Sequence, residues 1–383
     1  FGQARGMDIQ PTNDHHFRSL LYEKLGVPVL QRTKKDKEPS IDSKTLIGIY
    51  QFATDEWREA ILAWLRYEKA EKLYSTYVGD FGDPTKKTKP KGVLPLITPA
   101  GFVFPQINPL GARTGRRSMK RPNMQNWPKR MRAMVVSRFP GGLMVAADEA
   151  QLEPRILAIM AGIEEWLEIF ASGKNFYEHI AKRLWHKEIK KGDELYVVTK
   201  STVLSTNYDP IENYNNPSEA MLFRQQLSQE IGVHMGLEEA MDILKRYHKL
   251  FPQLPRFFAI QKERILRYGK VATLTGRVRN LPCPEGEGTP NFKHKWNEAA
   301  NYPIQGTAAD VVGAALLDLE KGILDYLNIG LQDHYDNLVR FWATEKLGLT
   351  NEPGCAILLE RIGKEIDYPI IVNEVHDELL IDC

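Results

Sequence analysis

The chain has 383 residues, 43% of them hydrophobic and 26% charged, with 51 Lys and Arg against 49 Asp and Glu. That length allows two or three well-buried domains, and 28 Gly, 23 Pro and three Cys exclude collagenous, disordered and disulfide-scaffold classes. No run of 18 apolar residues offers a membrane span and no basic and apolar leader pattern opens the chain; Cys283, Cys355 and Cys383 are scattered, as free thiols in a reducing compartment would be.

The pattern predicts helix over His15–Leu25, ended by Gly26 and Pro28, then a polar loop over Gln31–Ser40. A second helical stretch runs from about Ser43 to Tyr77, with Leu46, Ile49, Trp57, Ile61, Trp64 and Leu65 at helical spacing. Residues 81–107 are rich in Gly, Pro and Lys and read as a connection into short strands. Leu143–Ala147 is an apolar run after Pro140-Gly141-Gly142, predicted as a buried strand, with a helix beginning near Pro154. Residues 160–265 read as mostly helical, interrupted at Asp209–Pro217. Val271–Leu281 reads as a strand pair turning at Gly276, Ala308–Leu327 as a long helix, and Pro369–Val375 with Leu379–Ile381 as a tight hairpin.

Charge is unevenly placed. Arg113 to Arg132 holds eight basic residues and no acid, and Lys86, Lys87, Lys89 and Lys91 precede it. Such clusters grip phosphate backbones with release of counterions, although a solvated surface loop has the same charge. Between the charges, Asn123, Gln125 and Asn126 can hydrogen-bond sugars or base edges, and Trp127 offers a stacking surface.

Two acids, Asp148 and Asp377, sit at the ends of apolar runs. A carboxylate fixed at a strand end suits Mg²⁺, which takes oxygen ligands in near-octahedral geometry. Two such groups can bridge two ions roughly 3.5–4 Å apart, one activating an attacking oxygen and the other steadying the leaving oxygen. Taken singly, either acid reads more readily as a turn carboxylate satisfying nearby backbone N–H groups than as a metal ligand.

The wider strings settle which reading to follow. Asp148-Glu149-Ala150-Gln151-Leu152-Glu153-Pro154-Arg155 resembles motif A of the family A DNA polymerases, the DNA polymerase I family, and Val375-His376-Asp377-Glu378-Leu379 resembles its motif C. Asn301 to Asp310 is similar to its Gln-Gly-Thr-Ala-Ala-Asp signature. Thr114-Gly115-Arg116 with Pro122–Pro128 resembles its loop at the primer-template minor groove, and Thr275–Pro282 resembles a further segment. These strings span about residues 111–380 in family order, and residues 7–80 resemble the thumb.

The resemblance implies an α/β (α+β) right-hand polymerase with a helical thumb, an antiparallel-sheet palm and helical fingers. The expected divisions are 1–90 thumb, 91–160 palm, 161–295 fingers and 296–383 palm. It implies template-directed DNA synthesis from dNTPs on a DNA primer-template, with two Mg²⁺ ions (or substituting Mn²⁺) held by Asp148, Asp377 and the backbone carbonyl of Glu149, and Glu378 auxiliary. Glu153 is implied under the incoming sugar, rejecting ribonucleotides by filling the space of a 2′-hydroxyl. Lys200 is implied at the triphosphate, Tyr208 beside the templating base, and Gln151, Arg155, Tyr177 and Leu204 around the nucleotide. Arg116, Asn123, Gln125, Asn126, Arg277, Asn301, Gln305 and His376 are implied against the duplex, where minor-groove acceptors sit alike for every base pair.

Several positions depart from the family pattern: Glu149 stands for Tyr, Tyr196 for Arg, Leu204 for an aromatic and Tyr177 for His, and Asp209 replaces a glycine. Lys190 and Lys191 are the nearby cations that could stand in for the missing Arg. The Asp-x-Glu strings present, Asp36-Lys37-Glu38 and Asp318-Leu319-Glu320, fall in the polar loop and the long predicted helix and are not an exonuclease signature, so no proofreading is expected of the chain. With Leu204, that absence favours a phage or viral replicase, placed in the host cytosol and acting as a monomer. The chain opens at Phe1 and closes soon after motif C, which fits a piece of a longer or split polymerase. Cys383 admits an intein junction, an idea that an uninterrupted downstream reading frame would dispose of. Two rivals remain: a single-subunit RNA polymerase, and a catalytically impaired nucleic-acid-binding fragment.

Overall fold

The computed structural model describes residues 10, 13–33, 36–50, 53–82, 85, 89–208, 223, 235–284, 286–287, 289–334, 370–375 and 378–382. They fall into two compact units, Phe1–Phe104 and Pro105–Cys383.

In the first unit, α1 (Asp14–Arg18) opens on Asn13, whose side chain accepts from the His15 N–H, and continues as a π-helix over Ser19–Lys24. The predicted stretch from Ser43 to Tyr77 is two helices, α2 (Ser43–Tyr50) and α3 (Asp55–Leu73), followed by a π-turn over Tyr74–Val78. The break has a local cause. Thr54 is extended and its side chain accepts from the Trp57 N–H, an N-cap that starts a new helix. Phe17 stacks on Trp64 with ring centroids 4.1 Å apart, amid buried Leu20, Leu21, Leu46, Ile49 and Ile61. Two short strands follow, β1 (Gly79–Asp80) and β2 (Lys91–Gly92), paired antiparallel.

The second unit begins with the antiparallel pair β3 (Gln106–Asn108) and β4 (Ser118–Lys120), then a one-turn helix α4 (Lys129–Arg132). Strand β5 (Met144–Asp148) leads through a turn into α5 (Leu152–Ala161), which starts two residues before Pro154 and keeps that proline in its first turn. The helices α6 (Glu164–Ala171), α7 (Phe176–Trp185), α8 (Glu194–Tyr208), α9 (Leu237–Leu250) and α10 (Gln253–Tyr268) follow. The polar interruption expected at Asp209–Pro217 lies outside the described residues. Their core is aromatic: Trp166 meets Phe176 at 4.9 Å and Phe251 at 5.3 Å, both edge-on, and Tyr247 meets Phe251 at 5.3 Å.

A hairpin, β6 (Lys270–Ala272) and β7 (Val278–Asn280), turns at Gly276 with φ +88°, as predicted. The following helix, α11 (Pro290–Leu327), has 38 residues and begins 18 before the predicted Ala308. Thr289 caps it by accepting from the Phe292 N–H, and Pro290 at the first position needs no N–H partner. Finally β8 (Ile370–Val375) and β9 (Glu378–Asp382) form the expected hairpin, and β5 joins it in the order β5–β9–β8, all antiparallel. The Leu143–Ala147 run therefore holds as a strand but not as a buried one: among the described residues β5 is an edge strand, and from Val145 to Asp148 its residues are exposed.

Candidate functional site

The sheet register brings the two motif acids' strands side by side. Ala147 pairs with Leu379 and Asp148 with Glu378, while Val375 pairs with Glu378 from the other side. Asp148 is thus the last residue of its strand, beside the tip of the β8–β9 hairpin. His376 and Asp377 lie outside the described residues. Among those described, no group of three His, Cys, Asp or Glu side chains closes around one point. The donor chemistry still fits a hard divalent cation: exposed Asp148 and the adjacent Glu149 carbonyl offer only oxygen.

From Asp148 the chain turns sharply. Gln151 takes a left-handed conformation (φ 57°, ψ 40°) and α5 starts at the next residue. Arg155 locks this turn, its Nε donating to the Ala150 carbonyl at 2.8 Å while its guanidinium lies 4.6 Å over the Phe170 ring. In the first turn of α5, Glu153 forms an ion pair with Arg116; its side chain is only 12% exposed. Two residues assigned from sequence to different partners, sugar and duplex, are here partners of each other.

Arg116 reaches Glu153 from a tight turn. Gly115 N–H donates to the Ala112 carbonyl at 3.0 Å and Ala112 N–H to the Arg116 carbonyl at 3.2 Å. Arg277 braces that turn. Its Nη2 donates to the Thr114 carbonyl at 2.8 Å and the Gly306 carbonyl at 2.9 Å, and its Nε to Asp310 Oδ1 at 3.0 Å. Gly115 (φ 86°) leaves the room: a Cβ there would stand 2.3 Å from Arg277 Nη1. A second brace is Glu298 on α11, whose carboxylate meets Arg113 at 2.6 Å, Arg279 at 2.7 Å and His294 at 3.2 Å. Burial pushes the Glu298 carboxyl up, but the hydrogen bonds and charges of Arg279 and Arg113 outweigh it and hold the group below its ordinary value.

The rest of the basic stretch divides by exposure. Arg113, Lys120, Arg121 and Arg130 are exposed, Arg116, Arg117 and Arg132 half-buried. Asn123 caps the short 3₁₀ turn Met124–Asn126, accepting from the Gln125 N–H at 3.2 Å, and the Gln125 side chain donates to the Arg117 carbonyl at 3.2 Å. Trp127, expected as a stacking surface, is only 6% exposed and belongs to the interior, because the 3₁₀ turn carries its ring inward.

Helix α8 carries Tyr196, Lys200, Leu204 and Tyr208 at four-residue spacing. Lys200 is exposed, with Nζ 5.8 Å from the Tyr177 ring centre, and among the described residues no carboxylate lies within ion-pair distance of it. Tyr177 is buried, and that burial pushes its hydroxyl up to about 12. Tyr196 is buried too, edge-on to Tyr177 at 6.0 Å, so the residue standing for the family Arg is a core aromatic. Of the two stand-in cations, Lys190 pairs with Glu178 at 3.6 Å and Lys191 donates its backbone N–H to the same carboxylate. The buried residues of α8 include three threonines: Thr199, Thr202 and Thr206 each donate to the carbonyl four residues back, at 2.7, 2.8 and 2.7 Å. Those bonds satisfy hydroxyls that would otherwise be costly to bury.

On α11, Asn301 and Gln305 are one turn apart and half-buried, and Asn301 donates its amide to the Asn297 carbonyl at 3.0 Å. Glu298 was not singled out by sequence, and Thr114 and Asp310 fell within motif strings without being given a role. The Arg113–Glu298 contact spans 185 positions, a distance at which no local spacing could have marked it.

Comparison with known proteins agrees along the whole chain. A family profile described as DNA polymerase family A matches residues 2–383. DNA polymerase I of Chloroflexus aurantiacus is 31% identical over 324 residues, covering 81% of this chain and 31% of its own length. The thermostable DNA polymerase I of Thermus aquaticus is 28% identical over 308 residues, 78% of this chain and 33% of its own. The DNA polymerase of Bacillus phage SP01 is 25% identical over 312 residues. The chain spans about a third of the length of these relatives. The solved POL domain of Pol1 from M. smegmatis, in complex with DNA primer-template and dNTP, matches with a TM-score of 0.69 at 21% identity. That match covers 99% of this chain and 56% of the other, and it shows a shared fold.

Proposed function

The chain belongs to DNA polymerase family A, and from that premise we propose that it carries out template-directed DNA synthesis, joining a dNTP to a primer 3′-hydroxyl with release of pyrophosphate. The observation that carries the reading is the register of Asp148 against Glu378, which sets the motif A strand end beside the motif C hairpin.

Family membership implies a divalent metal. Asp148, the Glu149 carbonyl and Asp377 would hold Mg²⁺, with Mn²⁺ as substitute. When bound, the two ions would neutralise the phosphates and lower the barrier to attack. The chain's own residues do the rest. Exposed Lys200 is a cation with no described acid to compete for it, suited to the triphosphate. Glu153, fixed by Arg116, fills the place of a ribose 2′-hydroxyl. Asn301 and Gln305 face the primer-template with the exposed bases of 113–130. Nε and Nη2 of Arg277 are committed to protein acceptors, so its part is to hold the turn. In this reading 1–90 is thumb, 91–160 and 296–383 palm, and 161–295 fingers. Leu204 favours a phage or viral replicase.

One observation favours a second reading, a catalytically impaired nucleic-acid-binding fragment: Tyr196 is buried where a phosphate-binding Arg is usual. Primer extension with Mg²⁺, comparing dNTPs with rNTPs, separates the readings. Templated extension by dNTPs alone is expected. Equal extension by rNTPs would indicate an RNA polymerase, and DNA binding without extension would indicate the fragment.

A further inference from the structure

Arg277 is conspicuous among the basic residues because its donors point into the protein. Its guanidinium joins the Thr114 carbonyl, the Gly306 carbonyl and the Asp310 carboxylate, and lies 5.4 Å from the Tyr302 ring centre. Thr275 also donates to Asp310, so hairpin, helix α11 and the 112–116 turn converge on one knot. A phosphate-gripping arginine keeps its fork toward solvent; here the side chain is 35% exposed with two of its three nitrogens engaged. Two residues past Thr114 stands Arg116, the partner of Glu153. Gly115 between them meets the guanidinium so closely that any side chain would displace it. Gly306 is equally constrained, since a Cβ there would lie 2.6 Å from Thr273 Cγ2.

We propose that Arg277 is a positioning residue for sugar selection: it fixes the 112–116 turn, the turn presents Arg116, and Arg116 holds Glu153 where it excludes a ribonucleotide. The selection step rests on the polymerase reading; the fixing of the turn does not. The route is indirect, so Arg277 touches neither nucleotide nor duplex. It also explains why a glycine with positive φ sits between Thr114 and Arg116.

The experiment uses the full chain with Arg277→Gln, Arg277→Lys and Gly115→Ala. Hydrogen exchange at the Ala112 and Gly115 amides should accelerate in Arg277→Gln and Gly115→Ala, whether or not the protein polymerises; unchanged protection in both overturns the proposal. In single-nucleotide extension, dNTP-over-rNTP selectivity should fall about tenfold in all three, the worth of one hydrogen bond to a charged group. The loss should appear as faster rNTP incorporation rather than weaker DNA binding. The logarithmic salt slope of DNA binding should be the same in wild type and Arg277→Gln. A slope reduced by about one would mark a phosphate contact and overturn the positioning role. If Arg277→Gln unfolds, Arg277→Lys carries the test with no change in charge. A wild type that extends no primer would defeat the polymerase reading, and hydrogen exchange would still decide whether Arg277 fixes the turn.

Discussion

Replacing Glu298 by Gln removes one negative charge from beneath two arginines and a histidine while keeping shape and one acceptor. The largest loss is the contact with Arg279, 2.7 Å long between side chains 24% and 20% exposed. A partly buried hydrogen bond between two charged groups contributes about 1.5 kcal/mol. Arg113 and His294 are each 70% exposed, so solvent reduces their share to a few tenths of a kcal/mol each. The variant should therefore be about 2 kcal/mol less stable at pH 7, a fall of roughly 4 °C in Tm for a unit of this size. The carboxyl titrates below its ordinary value in the folded protein, so its contribution is complete above the unfolded value, near pH 4.5, and disappears as pH falls through the folded one. Calorimetric melting of wild type and Glu298→Gln at pH 7 and pH 3 measures this. The gap should be smaller at pH 3 than at pH 7. An equal gap at both values, or none at pH 7, would refute the electrostatic account of the hub.

Trp166→Ala should cost about 3–5 kcal/mol, because it empties a fully buried site edged by Phe176 and Phe251; urea unfolding would show it, and a loss under 1 kcal/mol would mean the core collapses around the hole. Thr289→Ala should cost about 1 kcal/mol through the lost cap of α11, and Thr289→Asp should restore it. Burial lowers the His248 imidazole to about 4, so its NMR shift should stay at the neutral value down to near that pH. The unfolded chain protonates near pH 6.5, so stability should be lost as pH falls from there toward 4. Burial raises Tyr177 to about 12, so its contribution should be complete below pH 10 and lost between 10 and 12; Tyr177→Phe should flatten that limb of the stability curve.

The hairpins at 270–280 and 370–382 were legible because an alternating or apolar run on each side of a turn has few other solutions. Helix α11 was legible only in its second half. Residues 290–307 bury Phe292, Trp296, Ala299, Ala300, Tyr302 and Ile304 on several faces, so no single apolar stripe announces a helix, and Pro303 reads as a breaker. Thr289-Pro290 was the available signal, a cap followed by a first-turn proline. The Leu143–Ala147 run gave the strand but not its exposure, since apolar composition does not say whether a strand is central or at an edge. Trp127 misled for the opposite reason, an aromatic among charges that the turn carries inward. At the site, Asp148 and Glu153 were readable as motif residues. The Arg116–Glu153 and Arg277–Asp310 pairs were not, because contacts between distant segments leave no mark in local spacing.

The most direct test of the central claim is single-turnover primer extension with Mg²⁺ by wild type and Asp148→Ala, alongside primer-template binding for both. Asp148 is exposed at the end of β5, so its replacement should leave folding and DNA binding within twofold of wild type. The account predicts that extension falls by more than about a thousandfold, as expected for loss of a metal-holding carboxylate. Extension by Asp148→Ala at the wild-type rate would contradict it.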